Sequence, residues 1–516
     1  MIALPRKIQR FLIINLIIFV SVLFIYQIIK LIIEISSNKY VPSDFAKYRS
    51  SHYDNVDYSD YNYENLNYKD KSNHMNTKFI LNDDDFIYLK QKTQNVPILY
   101  ISRHEGTISN FQYISDTLNW NLTVHSPESN SLQWSKLQTC LMEGSCESKY
   151  QQFCDEYEYI IISDIMLDVV PFLKAPYCKA KIITEITNRF DVFLKDDYKI
   201  EFHKLFKNAI ETKKITVVVN NPYEIYYLCR NGIYVPNYAL IRSTGNPPNI
   251  HTYDESIYYK SEQPEKTIAI ISRSKQDTIL SVPALQALNV PYEVLETRYG
   301  GPKILSKFKA LLYLPYQVSV MAMMENLRSN VIYLLPSPSM FKRLLETYDD
   351  YTFTESAVFL DQSSSSESGD DNDRHSMERT DDKVEEVNNY IDSHIEDIEE
   401  NKNQEIDEKI KRTEETKVKK KPIMENMLSK WVEWYREEFR DVFIYFDGFE
   451  ELPTILNDLE NPETIQKKKE EISTWVQEME RITLSQWLSI IALPQDSSLL
   501  KIDHSEVDDA CKSSNL

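Results

Sequence analysis

From Asn95 onward the chain repeats one unit: a short run of apolar, often β-branched residues, then a stretch with helical spacing. The runs PILYIS (97–102), NLTVH (121–125), YIIIS (159–163), KIIT (181–184) and ITVVVN (215–220) are mostly near-continuous rather than alternating. Runs of this kind suit parallel strands covered on both faces, because a strand with one solvated face would alternate. Between them, TISNFQYISDTL (107–118) sets Phe111, Ile114 and Leu118 on one face of a helix. Strand–helix alternation of this length predicts an α/β, doubly wound domain over 95–242.

The pattern breaks at the polar stretch STGNPPNIHTYDESIYYKSEQPEK (243–266), which reads as an interdomain connection, and then resumes. TIAIIS (267–272), YEVLE (292–296), ALLYL (310–314) and VIYLL (331–335) read as strands of a second domain, with helices at 278–288, 302–309, 319–329 and 338–348. Residues 361–425 are acidic and of low complexity, which predicts a disordered insertion that cannot bury enough apolar surface to fold. Order returns at MLSKWVEWYREEF (427–439). VFIYFD (442–447) then reads as the last strand, and a helical pattern at 462–491 closes the second domain, 267–360 plus 426–497. Residues 498–516 are a tail. The fold expected is two Rossmann-like domains facing a cleft.

The N-terminus adds a membrane expectation. Residues 11–29, FLIINLIIFVSVLFIYQII, carry no charge, and Arg6, Lys7 and Arg10 precede them. About 20 apolar residues span a bilayer, and flanking basic residues hold that end in the cytosol. The stretch is longer than a signal-peptide core and lacks a small-residue cleavage site. It predicts a signal anchor over 11–33 after a cytoplasmic tail 1–10, with the remaining chain lumenal in the endoplasmic reticulum or Golgi. Residues 34–94, rich in Tyr, Asn and Asp, read as a disordered stem, and the acidic triplet 83–85 as part of it rather than as a metal site.

The net charge of −21 argues against a nucleic-acid binder, which needs a basic footprint. Cys140, Cys146 and Cys154 cluster without CxxC or histidine spacing, so zinc is not indicated. One or two disulfides fit an oxidising lumen, but spacing leaves the pairing among the six cysteines open. Asn121-Leu122-Thr123 is a glycosylation sequon.

In open α/β sheets ligands bind beyond the C-terminal ends of the strands, so the loops there hold the candidates. SRHEGT places His104, Glu105 and Gly106 after the first strand; TNRFDVF places Arg189 and Asp191 after the fourth; NNPYE follows the fifth. His104, Glu105 and Asp191 are candidate bases toward an acceptor hydroxyl, and Arg189 is expected to pair with an acid or an anion. In the second domain SRSKQD offers Arg273 and Lys275 to an anion, and RYGGP offers the Gly300–Gly301 turn. No Walker or GxGxxG pattern is present. ALLYLPYQVS then brings Ser319 to a helix start, where it reads as the N-cap; Glu325 lies on that helix, and Asn330 reads as its left-handed stop.

ENLRSNVIYLLPS (325–337) resembles the donor-site segment of GT-B-fold glycosyltransferases, Glu-Ala-Met-Ala-small-Gly-x-Pro before an apolar strand. Asn330 stands where the family has Gly, and Ile332 where it has Pro. The resemblance implies that Glu325 binds the nucleotide ribose, and that Arg273 and Lys275 hold the donor diphosphate. Gln317 stands where many retaining members carry a second Glu, which leaves the stereochemical class open. The anchor, stem and lumenal region also resemble the layout of secretory-pathway glycosyltransferases. The function expected is transfer of a sugar from a nucleotide-sugar to a hydroxyl on a glycan, glycoprotein or glycolipid. No metal or other cofactor is required on this reading, and the oligomeric state is open. Two other readings remain: a sulfotransferase-like enzyme, and a non-catalytic membrane-anchored protein that binds glycan or a partner.

Overall fold

The computed structural model describes residues 80–246, 258–356 and 425–493, together with Phe359 and Cys511. All lie in the compact unit Leu66–Leu516. The anchor expected at 11–33, most of the stem and the insertion up to residue 424 fall outside the described residues. Among the described residues no helix is long and apolar enough to cross a membrane.

Two all-parallel sheets form the core. The first holds β1 (Pro97–Ile101), β2 (Asn121–His125), β3 (Tyr159–Ser163), β4 (Lys181–Ile186), β5 (Ile215–Val219) and β6 (Tyr238–Leu240), in the order β2-β1-β3-β4-β5-β6. The second holds β7 (Ile268–Ile271), β8 (Tyr292–Leu295), β9 (Ala310–Leu312), β10 (Tyr333–Pro336) and β11 (Ile444–Phe446), in the order β8-β7-β9-β10-β11. β3 is fully buried and β1 nearly so, while β2, the first-sheet edge, is exposed along most of its length. Near-continuous apolar runs at the centre follow, because helices cover both faces of a parallel sheet. β11 joins the second sheet across the long sequence gap, pairing Leu334 with Ile444.

Both sheets share one winding. Each begins on an inner strand, adds its second strand on one side and its third on the other. The chain therefore leaves in opposite directions from neighbouring strands at β1/β3 and again at β7/β9. A crevice opens at the C-terminal end of each such switch point. These two places position the candidate site.

Four helices matter for it. α1 (Asp83–Lys92) lies inside the stretch expected to be stem. Asn82 caps it by accepting from the Asp85 N–H at 2.8 Å, and Leu89 is fully buried. The acidic triplet is thus a helix first turn, where carboxylates oppose the exposed N–H groups favourably. α2 (Glu105–Leu118) follows β1, and α3 (Met321–Arg328) follows β9. α4 (Pro462–Ala492) does more than complete the second domain: its end packs on the first sheet. Trp487 meets Phe111 edge-on at 5.0 Å, and the Ile491 carbonyl accepts from Tyr159 Oη at 2.6 Å.

The start of the expected interdomain connection is a buried strap rather than a solvated linker. Asn110 Oδ1 of α2 accepts from Ser243 Oγ at 3.0 Å, the Thr244 N–H at 2.8 Å and Thr244 Oγ1 at 2.7 Å. The Thr244 carbonyl accepts from Arg328 of α3 at 3.0 Å, and Arg328 also pairs with Glu480 of α4 at 2.7 Å. Gly245 follows at φ 71°, against the α3 backbone at Met324 and Glu325. One strap therefore ties α2, α3 and α4 together. All six cysteines are paired, as Cys140–Cys146, Cys154–Cys178 and Cys229–Cys511.

Candidate active site

The two switch points meet. On the first-sheet side, Ser102-Arg103-His104 follow β1, and α2 opens with Glu105-Gly106. His104 caps α2, its Nδ1 accepting from the Thr107 N–H at 3.4 Å, the long end of the hydrogen-bond range. Asp164 follows β3 with φ 67°. Burial raises its carboxyl above the ordinary range; His104, the largest opposing influence, and Arg103 pull it back down. Arg103 is locked to Asp168 by two bonds, at 2.8 and 2.7 Å.

From the second sheet come Arg273 after β7, Tyr299 after β8, Tyr316 after β9 and Glu325 on α3. A methyl group on Gly106 would stand 2.8 Å from His104 Cε1 and 3.3 Å from Glu325 Oε1. The imidazole and the carboxylate therefore face each other across a residue that has no side chain. Burial pushes the Glu325 carboxyl up to about 7, with the Arg273 charge opposing. Burial also raises Tyr299, which lies in the field of both Arg273 and Glu325.

Arg273 differs from five other buried or half-buried arginines of the core. Arg103, Arg189, Arg242, Arg328 and Arg436 each hold a carboxylate. Arg273 Nη1 instead donates to the Tyr316 hydroxyl at 2.9 Å, and its buried Nε has no hydrogen-bond partner. Among the described residues no carboxylate lies within ion-pair distance of it. A largely desolvated guanidinium that is hydrogen-bonded to a phenol and has no carboxylate in ion-pair contact is costly unless an anion joins it.

The other expected residues divide. Lys275, two positions on, is exposed and lies 3.8 Å from Asp350, whereas Arg273 turns to Tyr316. The N–H groups of Arg273 and Ser274 do not await an anion either: Asp277 Oδ2 accepts both, at 3.0 and 2.7 Å. Burial pushes that carboxyl up to about 6. Ser319 is not a helix cap; the helix begins at Met321 with Val320 at the cap position, and Ser319 Oγ donates to the buried Glu433. Asn330 does end α3 in the left-handed region, at φ 58°. Gly300 turns under Tyr258, and Gly301 leads into a helix of only four residues, so RYGG contributes Tyr299 to the site. The Gln317 carbonyl accepts from Trp434 Nε1 at 3.0 Å.

Asp191 is not a base in the crevice. It is buried and accepts from His203 Nε2 and Tyr227 Oη, both at 3.0 Å, which occupies both its oxygens in holding its own loop. Arg189 pairs with an acid, as expected, and the acid comes from the second domain: Glu355, whose other oxygen accepts from the Val318 N–H at 3.1 Å. Glu105 and His104 are both exposed at the start of α2. Asn121 opens the edge strand β2 and is exposed. Sequence reasoning missed Asp164, Tyr299 and Tyr316. Each lies within a few residues of a strand's C-terminal end, and that position was the available signal.

No protein-family model matches the chain, and no curated protein matches it. Among solved structures it is similar to the spinosyn forosaminyltransferase SpnP, with a TM-score of 0.30 and 10% identity over 47% of this chain and 80% of that one. It is also similar to SsfS6, a glycosyltransferase of Streptomyces sp. SF2575, with a TM-score of 0.26 and 9% identity over 46% of this chain and 81% of that one.

Proposed function

We propose that the crevice binds a nucleotide-sugar and that the protein transfers the sugar to an acceptor hydroxyl. The observation that carries this reading is Arg273, a half-buried cation with no carboxylate partner, set at the second sheet's switch point beside Tyr316 and Glu325. A diphosphate supplies the missing anion, and charge-assisted bonds to it strengthen as the sugar departs. Glu325, as in the family segment it resembles, accepts hydrogen bonds from vicinal ribose hydroxyls. Lys275 has no part in this version of the site.

In the direct displacement we infer, the acceptor oxygen forms a bond to the anomeric carbon. The bond from that carbon to the phosphate oxygen breaks, and its electron pair leaves on the diphosphate facing Arg273. The acceptor proton passes to His104. Because Nδ1 accepts the α2 cap, the neutral ring carries its proton on Nε2. His104 therefore acts as a base only by leaving that 3.4 Å cap or changing tautomer, with Asp164 beside it to stabilise the imidazolium.

The setting is proposed from sequence alone: a type II membrane protein of the Golgi or endoplasmic reticulum, held by residues 11–33, with a glycan, glycoprotein or glycolipid acceptor. The test is thermal unfolding of the full chain in detergent with nucleoside diphosphates and nucleotide-sugars. Stabilisation by one nucleotide, lost in Glu325→Gln, supports the reading. No stabilisation by any nucleotide sinks it in favour of a non-catalytic protein.

A further inference from the structure

Phe193 occupies a left-handed backbone conformation at φ 63° with 60% of its surface exposed. Both features are unfavourable for a phenylalanine, and burial does not offset them. Its neighbours hold it there. Phe190 is buried with its ring 4.8 Å from His203 and 5.6 Å from Phe206, and Leu194 is buried on the other side. Asp191, bonded to His203 and Tyr227, and the bond from the Leu194 N–H to the Asp191 carbonyl at 3.2 Å fix the turn between them. The loop is rigid, and it presents an aromatic ring to solvent.

Phe193 is one of a pair. Its ring lies 6.2 Å from that of Trp134, inclined at 44°. Trp134 lies under the Arg103 guanidinium, 4.4 Å from the ring centre, and Asp168 locks that guanidinium. Arg103 precedes His104 in the chain, so the pair adjoins the first-sheet wall of the candidate site.

We propose that Trp134 and Phe193 are the acceptor platform and that the acceptor is a carbohydrate. The inference rests on the glycosyl-transfer reading above. A sugar ring lays its apolar C–H face on aromatic faces and keeps its hydroxyls for polar neighbours. A bilayer is the rival occupant; Lys195 and Lys199 offset Asp196 and Asp197 beside Phe193, so local charge does not draw an anionic lipid surface there, and the vesicle arm below tests it.

Trp134 supplies its own reporter, since the other five of the six tryptophans are buried. Acrylamide quenching of the full chain would be measured with maltotriose, chitotriose or mannotriose, and with anionic vesicles. The expected result is protection by at least one trisaccharide, weakened tenfold or more in Phe193→Gly and restored in Phe193→Tyr. Phe193→Gly should keep or raise the unfolding midpoint, because glycine relieves the left-handed conformation; a merely structural Phe193 would lose stability instead. Nucleoside diphosphate binding is titrated in parallel. Nucleotide binding without protection by any saccharide, or protection by vesicles alone, overturns the carbohydrate platform and leaves the donor site standing. Protection without nucleotide binding overturns the acceptor role.

Discussion

Gly144 and Gly245 have nearly the same backbone, at φ 73° and 71°, and different surroundings. A methyl group on Gly144 would meet nothing within 4 Å, whereas one on Gly245 would stand 2.2 Å from the Met324 carbonyl oxygen and 2.6 Å from its carbon. Gly144→Ala therefore measures the left-handed conformation alone, about 1–2 kcal/mol. Gly245→Ala adds a backbone clash that a side-chain rotation cannot relieve. Strap and helix must part by about 1 Å to approach ordinary van der Waals separation. The strap is held by three bonds to Asn110 and one from Arg328, each contributing about 1 kcal/mol. Losing one or two of them brings the total to about 2–4 kcal/mol, roughly 1–2 more than for Gly144→Ala. Urea unfolding of both variants gives the difference directly. The next residue on α3 is Glu325, so the variant should also bind nucleotide more weakly, since small displacements in a preorganised site are expensive. Equal destabilisation by the two substitutions would refute the strap's role in placing α3.

Three further outcomes follow from the same structure. Glu224 is fully buried and its carboxyl is pushed from 4.5 up to about 7, by burial first, with Arg189 opposing. Its protonated form is thus favoured in the fold, and wild-type stability should fall as pH rises from about 4.5 through about 7. At roughly 1.4 kcal/mol per pH unit, Glu224→Gln should gain about 3 kcal/mol over wild type above pH 8 and nothing at pH 4; denaturant titrations at both values check it. Removing the Cys154–Cys178 disulfide with a double alanine variant frees a loop closed over 24 residues and should lower stability by about 3 kcal/mol, read from the denaturation midpoint. Expressed in a secretory compartment, the chain should lose mass on enzymatic deglycosylation and Asn121→Gln should not; an unmodified wild-type chain contradicts the lumenal setting.

The strands were legible because their apolar runs are local. All ten expected strands are present, β2 and β3 with the boundaries read from the sequence. β6 was missed because Tyr238–Leu240 is short and follows Pro236 and Asn237. α1 was missed because an acidic triplet looks the same in a solvated spacer and in a capped first turn; the cap bond from the Asp85 N–H to Asn82 distinguishes them, and composition does not. The strap 243–246 was read as linker because its burial depends on Asn110 and Arg328, which lie more than 80 positions away on either side. The site was legible one residue at a time. Arg273 and Lys275 are equivalent in sequence, and only the fold turns one toward Tyr316 and the other toward Asp350. Asp191 looked like a base because a carboxylate after a strand is a reasonable candidate, but His203 and Tyr227 take it.

The central claim is that Arg273 stands without a carboxylate because a diphosphate takes that place. Calorimetric titration of the full chain with the mono- and diphosphate of each common nucleoside tests it. The account predicts that one diphosphate binds more tightly than its monophosphate, and that Arg273→Gln removes that preference with a loss of about 10–100-fold, the range for one charge-assisted contact. A preference unchanged in Arg273→Gln, or no binding of any diphosphate to the folded wild-type chain, would contradict it.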